Sequence, residues 1–273
     1  MCELFALSSN APVNIRYDLD RFAAEGGELH QNRDGWGIVF TEGRDAHCFR
    51  EANAASQSPL DRFLREHSRP QSNVIAHVRR ASRGAGALEN THPFRRIRAG
   101  RAQHFAHNGT LNGLEDSPGV APYLTQRVGE TDSELAFLLL LDRLERAAPD
   151  HENIAARFEV FRAFCGEMAG FGSANFLWLD GTVLYVHADQ RVFETPEGLS
   201  KPQPPGLHLL TPAPGAVDRA HEFTGATLSH LPEHLAVFAS LPLSDADWEP
   251  LPRGTVMAVA QGKILHRDCV AQG

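Results

Sequence analysis

Cys2 stands directly behind Met1 in the segment Met1-Cys2-Glu3-Leu4-Phe5-Ala6-Leu7. Aminopeptidases remove an initiator methionine when the next side chain is small, and cysteine qualifies. Removal of Met1 would leave a thiol and a free α-amine on one residue. An α-amino group titrates at roughly 7.7–8.0, so near neutrality it can serve as general base for the thiol beside it. Nucleophile and base are then the same residue, the sulfur counterpart of an N-terminal threonine activated by its own amine. Three later polar clusters could complete such a site: His77-Val78-Arg79-Arg80-Ala81-Ser82-Arg83-Gly84, His107-Asn108-Gly109-Thr110 and Gly129-Glu130-Thr131-Asp132-Ser133-Glu134. Each has a plain structural explanation as well. Asn108-Gly109 is a common turn dipeptide. Asp132 in a first helical turn is favoured by the helix dipole alone. Arg79 suits an ordinary surface arginine, and a cysteine at position 2 can be chance.

The elements that must hold these clusters are legible in outline. Cys2–Ser8 is a short apolar run suited to a buried strand, and Asp18–Leu29 has a helical pattern broken at Gly26-Gly27. Gly35–Thr41 and Ala46–Arg50 flank Glu42-Gly43-Arg44 as a hairpin. Ser58 and Pro59 start a helix with proline in its first turn. Asn73–Arg79 and Ala102–His107 are apolar-rich strands, each ending in a polar cluster. Thr131 and Glu134 form a capping box ahead of Leu135–Leu141, whose broad apolar face predicts a helix pressed onto a sheet. A second helix is expected over Glu152–Glu167, ending at Gly170 and Gly172. Ala174–Leu179 and Val183–Val186 read as a hairpin around Asp180-Gly181-Thr182. Thr195–Gly206 reads as a surface loop, and Leu207–Leu210, Leu235–Leu241 and Thr255–Ala260 as further strands, the last turning at Gln261-Gly262-Lys263. Strands, then helices, then strands with hairpin turns predict an α/β layered domain of mainly antiparallel sheets.

Composition narrows the function class. The chain has 273 residues, 42% of them hydrophobic, enough for a sizeable core. With 26 basic against 34 acidic residues, a net charge of −8 argues against nucleic acid or an anionic membrane as main partner. No segment is long and apolar enough to span a bilayer, and no basic-then-apolar secretion signal opens the chain. The cysteines at 2, 48, 165 and 269 form no Cys-x-x-Cys pair and no zinc-ligand spacing. Free thiols in a reducing, cytoplasmic setting are expected. The spacing of His77, His92, His104 and His107 fits no standard metal site, so structural histidines, and neither metal nor cofactor, are expected. No dinucleotide-binding or phosphate-loop glycine motif is present.

Cys2 together with the three clusters resembles the glutaminase domain of the class II glutamine amidotransferases, within the N-terminal nucleophile (Ntn) hydrolases. The order is N-terminal Cys, His-x-Arg-x-Ala-(Thr/Ser), His-Asn-Gly, and Glu-(Thr/Ser)-Asp-(Ser/Thr). Asp34-Gly35-Trp36-Gly37 and Asn90-Thr91-His92-Pro93-Phe94 look like the free-standing, YafJ-like branch. The C-terminal Ala239-Ser240-Leu241-Pro242-Leu243, Trp248 and Gly254 have the look of that branch's closing strands. The resemblance implies one domain over residues 1–273, folded as a four-layer αββα sandwich of two antiparallel sheets between helices.

It also implies roles. Cys2 would attack the γ-carboxamide carbon of glutamine, with the Asn108 side-chain amide and the Gly109 backbone N–H as oxyanion donors. Arg79 would clamp the substrate α-carboxylate, Asp132 would take its α-ammonium, and Ser82 and Trp36 would belong to the substrate pocket. Trp36 between glycines also suits a core position. The sequence departs from the synthase-linked pattern at Arg80, Ser82 and Arg83. No acceptor domain of comparable size follows, which favours hydrolysis over ammonia transfer, with an acceptor enzyme as a possible separate partner. Two extra arginines would suit a more anionic γ-glutamyl substrate. The alternatives are a γ-glutamyl amide or peptide hydrolase with the same site, a non-catalytic binding protein that keeps the fold, and a thiol hydrolase that uses a histidine base.

Overall fold

The computed structural model describes residues 2–14, 16–29, 32–67, 69–82, 84–195, 198–211, 221–223, 226–228 and 232–270. In chain order the first half contains β1 (Glu3–Val13), α1 (Arg16–Glu25), β2 (Trp36–Glu42), β3 (Asp45–Glu51), α2 (Pro59–His67), β4 (Gln71–Val78), β5 (Phe94–Arg98), β6 (Arg101–Leu111), α3 (Ala121–Leu124) and α4 (Asp132–Ala147). Then follow α5 (Ile154–Ala169), β7 (Gly172–Asp180), β8 (Val183–Ala188), β9 (Glu194–Thr195), β10 (Gly198–Leu199), β11 (His208–Leu210), β12 (His221–Phe223), β13 (Ala226–Leu228), β14 (Leu235–Ala239), β15 (Glu249–Pro250), β16 (Thr255–Ala260) and β17 (Lys263–Cys269). Seven strands form one sheet in the order β15-β11-β14-β1-β4-β2-β3, and six form a second in the order β17-β16-β8-β7-β6-β5. The pairings within both are antiparallel.

Side-chain alternation along the strands sorts the apolar residues into three layers. On β1, Phe5 and Leu7 face α1 and α2, while Leu4 and Ala6 face the other sheet. On β7, Phe176 and Trp178 face α4 and α5, while Leu177 and Leu179 face inward against Ile75 and Phe238. The result is the expected αββα sandwich. The run Leu135–Leu141 is buried all round, because α4 is covered by α5 on one side and the second sheet on the other.

Local signals account for the element starts. Thr131 caps α4 by accepting the Glu134 N–H at 3.2 Å. Glu134 does not reciprocate. Its carboxylate instead accepts the Val128 and Gly129 N–H groups, at 3.0 and 2.8 Å, and so ties the loop before the helix. Ser58 Oγ accepts the Asp61 N–H at the head of α2. The second long helix begins at Ile154 rather than Glu152, because Asn153 supplies the cap to Ala156 N.

The strand bounds need correction. β6 does not end at His107. It runs through Asn108-Gly109 to Leu111, paired residue for residue with β7 as far as Gly172, so Asn-Gly is strand here and not a turn. Edge strands β5 and β17 were not foreseen. The Arg83 position falls outside the described residues.

Candidate active site

β1 and β6 lie in different sheets, and the top of the sandwich brings their ends together. Cys2 precedes β1, and its sulfur touches the Arg80 backbone, 3.2 Å from both the N–H and the carbonyl oxygen. Burial pushes the thiol above its ordinary value, partly offset by the Arg80 N–H. Across from it, Asn108 Nδ2 donates to the Cys2 carbonyl oxygen at 2.5 Å and lies 3.4 Å from Ser240 Oγ. Ser240 Oγ also accepts the Leu4 N–H at 2.9 Å. Asn108 is held from behind by Asn175, whose Nδ2 donates to Asn108 O and Gln190 O while its Oδ1 accepts the Asp189 N–H.

Gly109 is required sterically. A Cβ there would lie 1.8 Å from the Ser173 carbonyl oxygen, at a φ of +155°. The strand ends therefore approach more closely than any side chain permits.

Cys2, Ser82, Asn108 and Gly109 line one open cavity of about 360 Å³, joined by Arg80, Thr110, Asn112, Ser173, Gln190, Arg191, Val192, Leu199 and Pro202. That volume lies within the usual range for small-molecule sites, about 300–1,000 Å³. A cavity of similar size beside Leu141, Leu144 and Arg157 lies at the other end of β6, near Gln103, and no cysteine, serine or threonine lines it. Ser82 Oγ sits 3.2 Å from Thr110 Oγ1 on the wall of the Cys2 cavity.

Three of the expected residues do not line this cavity. The Arg79 guanidinium is 3% exposed with its residue and donates to the carbonyl oxygens of Asp34, Gly84 and Ala85. It holds the loop that carries Arg80 and Ser82. Asp132 accepts the Leu111 N–H at 2.5 Å and the Ser133 N–H at 3.0 Å, directly behind the wall between Thr110 and Asn112. Trp36 is a correction. Its indole belongs to the core under α1 and α2, and its Nε1 donates to Glu51 at 3.1 Å, because β2 turns that position toward the helices.

The two branch-like segments prove to be one lock. A Cβ at Gly37 would sit 2.3 Å from the His92 carbonyl oxygen, and one at Gly35 2.8 Å from Thr91 Oγ1. Asn90 then braces both flanks of the site, donating to Ala85 O and accepting the Glu130 N–H.

Buried partners hold the histidines. His107 Nε2 lies 3.0 Å from Ser173 O, and its Nδ1 lies 2.8 Å from Ser133 Oγ. A carbonyl only accepts, so Nε2 carries the proton and Nδ1 accepts from the serine. His77 and His92 contact each other at 3.2 Å, and burial holds both well below the ordinary range, His77 at about 3. No group of three or more metal-ligating side chains occurs among the described residues. No helix of the structure is long and apolar enough to cross a membrane.

Sequence reasoning missed Arg191, whose guanidinium donates to Ser240 O at 2.8 Å and to Glu3 at 2.5 Å. It also missed Asn175 and the Gln190–Pro202 wall. No local motif marks any of them.

A family model described as class-II glutamine amidotransferases matches residues 1–272. The chain is 36% identical over 190 residues to YafJ of Escherichia coli (strain K12), covering 68% of this chain and 72% of that protein. It is 30% identical over 271 residues to the uncharacterized protein MJ1515 of Methanocaldococcus jannaschii, covering 98% and 72%. The crystal structure of a predicted glutamine amidotransferase from Pseudomonas aeruginosa superposes with a TM-score of 0.67 at 28% identity, over 97% of this chain and 100% of that one. The glutamine phosphoribosylpyrophosphate amidotransferase of B. subtilis shares the fold, with a TM-score of 0.61 at 16% identity over half of its chain.

Proposed function

Because the chain belongs to the class II glutamine amidotransferases, we propose that it hydrolyses the γ-carboxamide of glutamine, or of a γ-glutamyl compound, through Cys2. The observation that carries this reading is the Cys2 residue in the wall of a cavity that Asn108 and Gly109 also line, with Asn108 Nδ2 in contact with the Cys2 carbonyl oxygen. Removal of Met1 exposes the Cys2 α-amine. The sulfur attacks the γ-carbonyl carbon, and its proton passes to that amine, directly or through a water. The oxyanion is met by the Asn108 Nδ2 donor and the Gly109 N–H. The amine returns the proton to the departing nitrogen, ammonia leaves, and water cleaves the thioester to release glutamate.

Two features favour the amine as base. Burial keeps the sulfur a thiol, so attack needs a proton acceptor. Among the described residues the hydrogen bonds of the sulfur go to the Arg80 backbone, while His77 and His107 face other partners.

Recognition of the amino-acid end is assigned to Asp132 and Arg79. Asp132 keeps lone pairs for an ammonium beyond the two N–H bonds it accepts. Arg79 reaches a carboxylate once the Gly84 and Ala85 carbonyls release it. The ammonia goes to water or to an acceptor enzyme docked at the cavity mouth, and a reducing, cytoplasmic compartment suits a catalytic thiol.

Intact mass before and after treatment with a diazoketone analogue of glutamine tests the reading, with Cys2→Ala as control. Loss of Met1 and one adduct that requires Cys2 is expected. Retained Met1, or no adduct on the processed chain, overturns it.

A further inference from the structure

The Cys2 cavity has two chemically different walls. One is polar: Ser82, Thr110 and Asn112, with Asp132 fixed on the Leu111 N–H just behind them. The other comes from an arm, residues 190–195 and 198–202, which contributes the apolar Val192, Leu199 and Pro202 beside Gln190 and Arg191. Leu199 is 61% exposed, a large side chain left uncovered at the mouth of a reactive cavity.

The arm is a built structure. Arg191 and Gln203 exchange both backbone hydrogen bonds, at 3.0 and 2.9 Å. Leu199 pairs with Glu194 across the β9–β10 hairpin. Phe193 N donates to Ser200 Oγ at 2.9 Å, and the Arg191 guanidinium lies over the Phe193 ring at 5.2 Å. Arg80 Nη1 reaches Glu194 at 2.7 Å and links the arm to the opposite rim. The two arginines at the cavity are thus matched, Arg80 by Glu194 and Arg191 by Glu3, so the rim offers an anion little unmatched charge.

Glutamine alone cannot use the apolar wall, because its leaving group is ammonia. We propose that Val192, Leu199 and Pro202 form a subsite for the substituent on the leaving nitrogen. The substrate class it fits is a γ-glutamyl amide of an apolar primary amine. The inference rests on the proposed Cys2 hydrolysis and deepens it. The bond cleaved is the γ-carbonyl C–N bond, water supplies the hydroxyl and one proton, and glutamate and the free amine are the products.

The test compares kcat/KM for γ-L-glutamyl-isobutylamide, γ-L-glutamylglycine and L-glutamine, in the native sequence, in Leu199→Ser and in Leu199→Met. A hydrophobic pocket discriminates by about 10–200-fold per methylene-sized difference at most. The isobutylamide is therefore expected to exceed glutamine and γ-glutamylglycine by roughly tenfold or more. Leu199→Ser should cut that ratio at least threefold, and Leu199→Met should keep it. Leu199 is exposed, so neither change threatens the core. A ratio near one, a preference for γ-glutamylglycine, or a ratio that Leu199→Ser does not move overturns the subsite. If glutamine is still hydrolysed and Cys2 still takes the diazoketone label, the subsite alone has failed. If no substrate turns over and Cys2 takes no label, the proposed function has failed and the subsite with it.

Discussion

The side-chain nitrogen of Asn108 lies 2.5 Å from the carbonyl oxygen of Cys2, 106 positions earlier in the chain. This contact spans the two sheets and sets the proposed oxyanion donor beside the proposed nucleophile before any substrate arrives. Preorganised donors of this kind are worth about 10²–10³ in kcat. Asn108→Ala is expected to lower kcat for glutamine by that factor, with a smaller change in KM. An unchanged kcat in steady-state kinetics would remove Asn108 from the oxyanion site. Asn108→Asp should be no better, because a carboxylate opposite a carbonyl oxygen and an oxyanion offers neither a donor.

Gly109 has no room for a methyl group. Its Cβ would meet the Ser173 carbonyl oxygen at 1.8 Å, and that oxygen also accepts from His107 Nε2. Gly109→Ala must therefore separate β6 from β7 at the proposed oxyanion donor. Strained backbone of this sort costs roughly 1–3 kcal/mol, which lowers Tm by several degrees in a chain of this size. Calorimetry and glutaminase assays on Gly109→Ala should show both a lower Tm and severe loss of activity. A variant with native Tm and native kcat would contradict the close approach.

Arg80 invites the idea that the mouth selects anionic substrates. Its Nη1 is paired with Glu194 at 2.7 Å, both side chains about one third exposed. Such half-exposed pairs stabilise a fold by about 0–1 kcal/mol, so the pair matters for charge matching more than for stability. Arg80→Ala is expected to leave the kcat/KM ratio of γ-glutamylglycine to glutamine within about twofold, since the residue it removes is already matched. A drop of tenfold would restore the anion-selecting role.

The residues proposed for the chemistry were legible where the chain keeps them local. Cys2, His107-Asn108-Gly109 and Thr131–Glu134 are contiguous motifs; Cys2, Asn108 and Gly109 line one cavity, and Asp132 lies behind its wall on the Leu111 N–H. The layering was legible too, because Leu135–Leu141 has no polar face and Leu4–Leu7 is buried on both sides. Edge strands escaped notice for a physical reason. Phe94–Arg98 carries three arginines in five residues and Lys263–Cys269 is exposed along most of its length, as edges that avoid pairing often are. Asn108-Gly109 misread as a turn because the dipeptide favours one, whereas pairing with β7 overrides it. Trp36 between two glycines gave no sign of which face it occupies; the glycines serve the close approach of His92 and Thr91, and the indole follows the strand's alternation into the core. The arm Gln190–Pro202 is held by contacts to Glu3, Arg80, Asn175 and Ser240, which no local pattern encodes.

Buried neutral histidines make the fold sensitive to acid. Burial holds His77 at about 3 and His104 and His187 at about 4, against an ordinary value of 6.5. In the unfolded chain these rings take up protons as pH falls below 6.5, while the folded ones stay neutral. Their contribution is therefore complete above pH 6.5 and is lost as pH falls toward 4 and then 3. Each group adds up to about 1.4 kcal/mol per pH unit, so three together give about 4 kcal/mol per unit near pH 5. A total stability of about 5–15 kcal/mol would be exhausted within a few units, and urea midpoints should drop steeply between pH 6.5 and 4.5. His104→Leu isolates one group, because neither of its ring nitrogens has a hydrogen-bond partner among the described residues and an apolar replacement leaves nothing unpaired. Its stability at pH 7 should stay within about 1 kcal/mol of the native chain, while its slope near pH 5 should fall by up to about 1.4 kcal/mol per pH unit. Identical slopes for the two proteins would mean that His104 does not stay neutral in the fold.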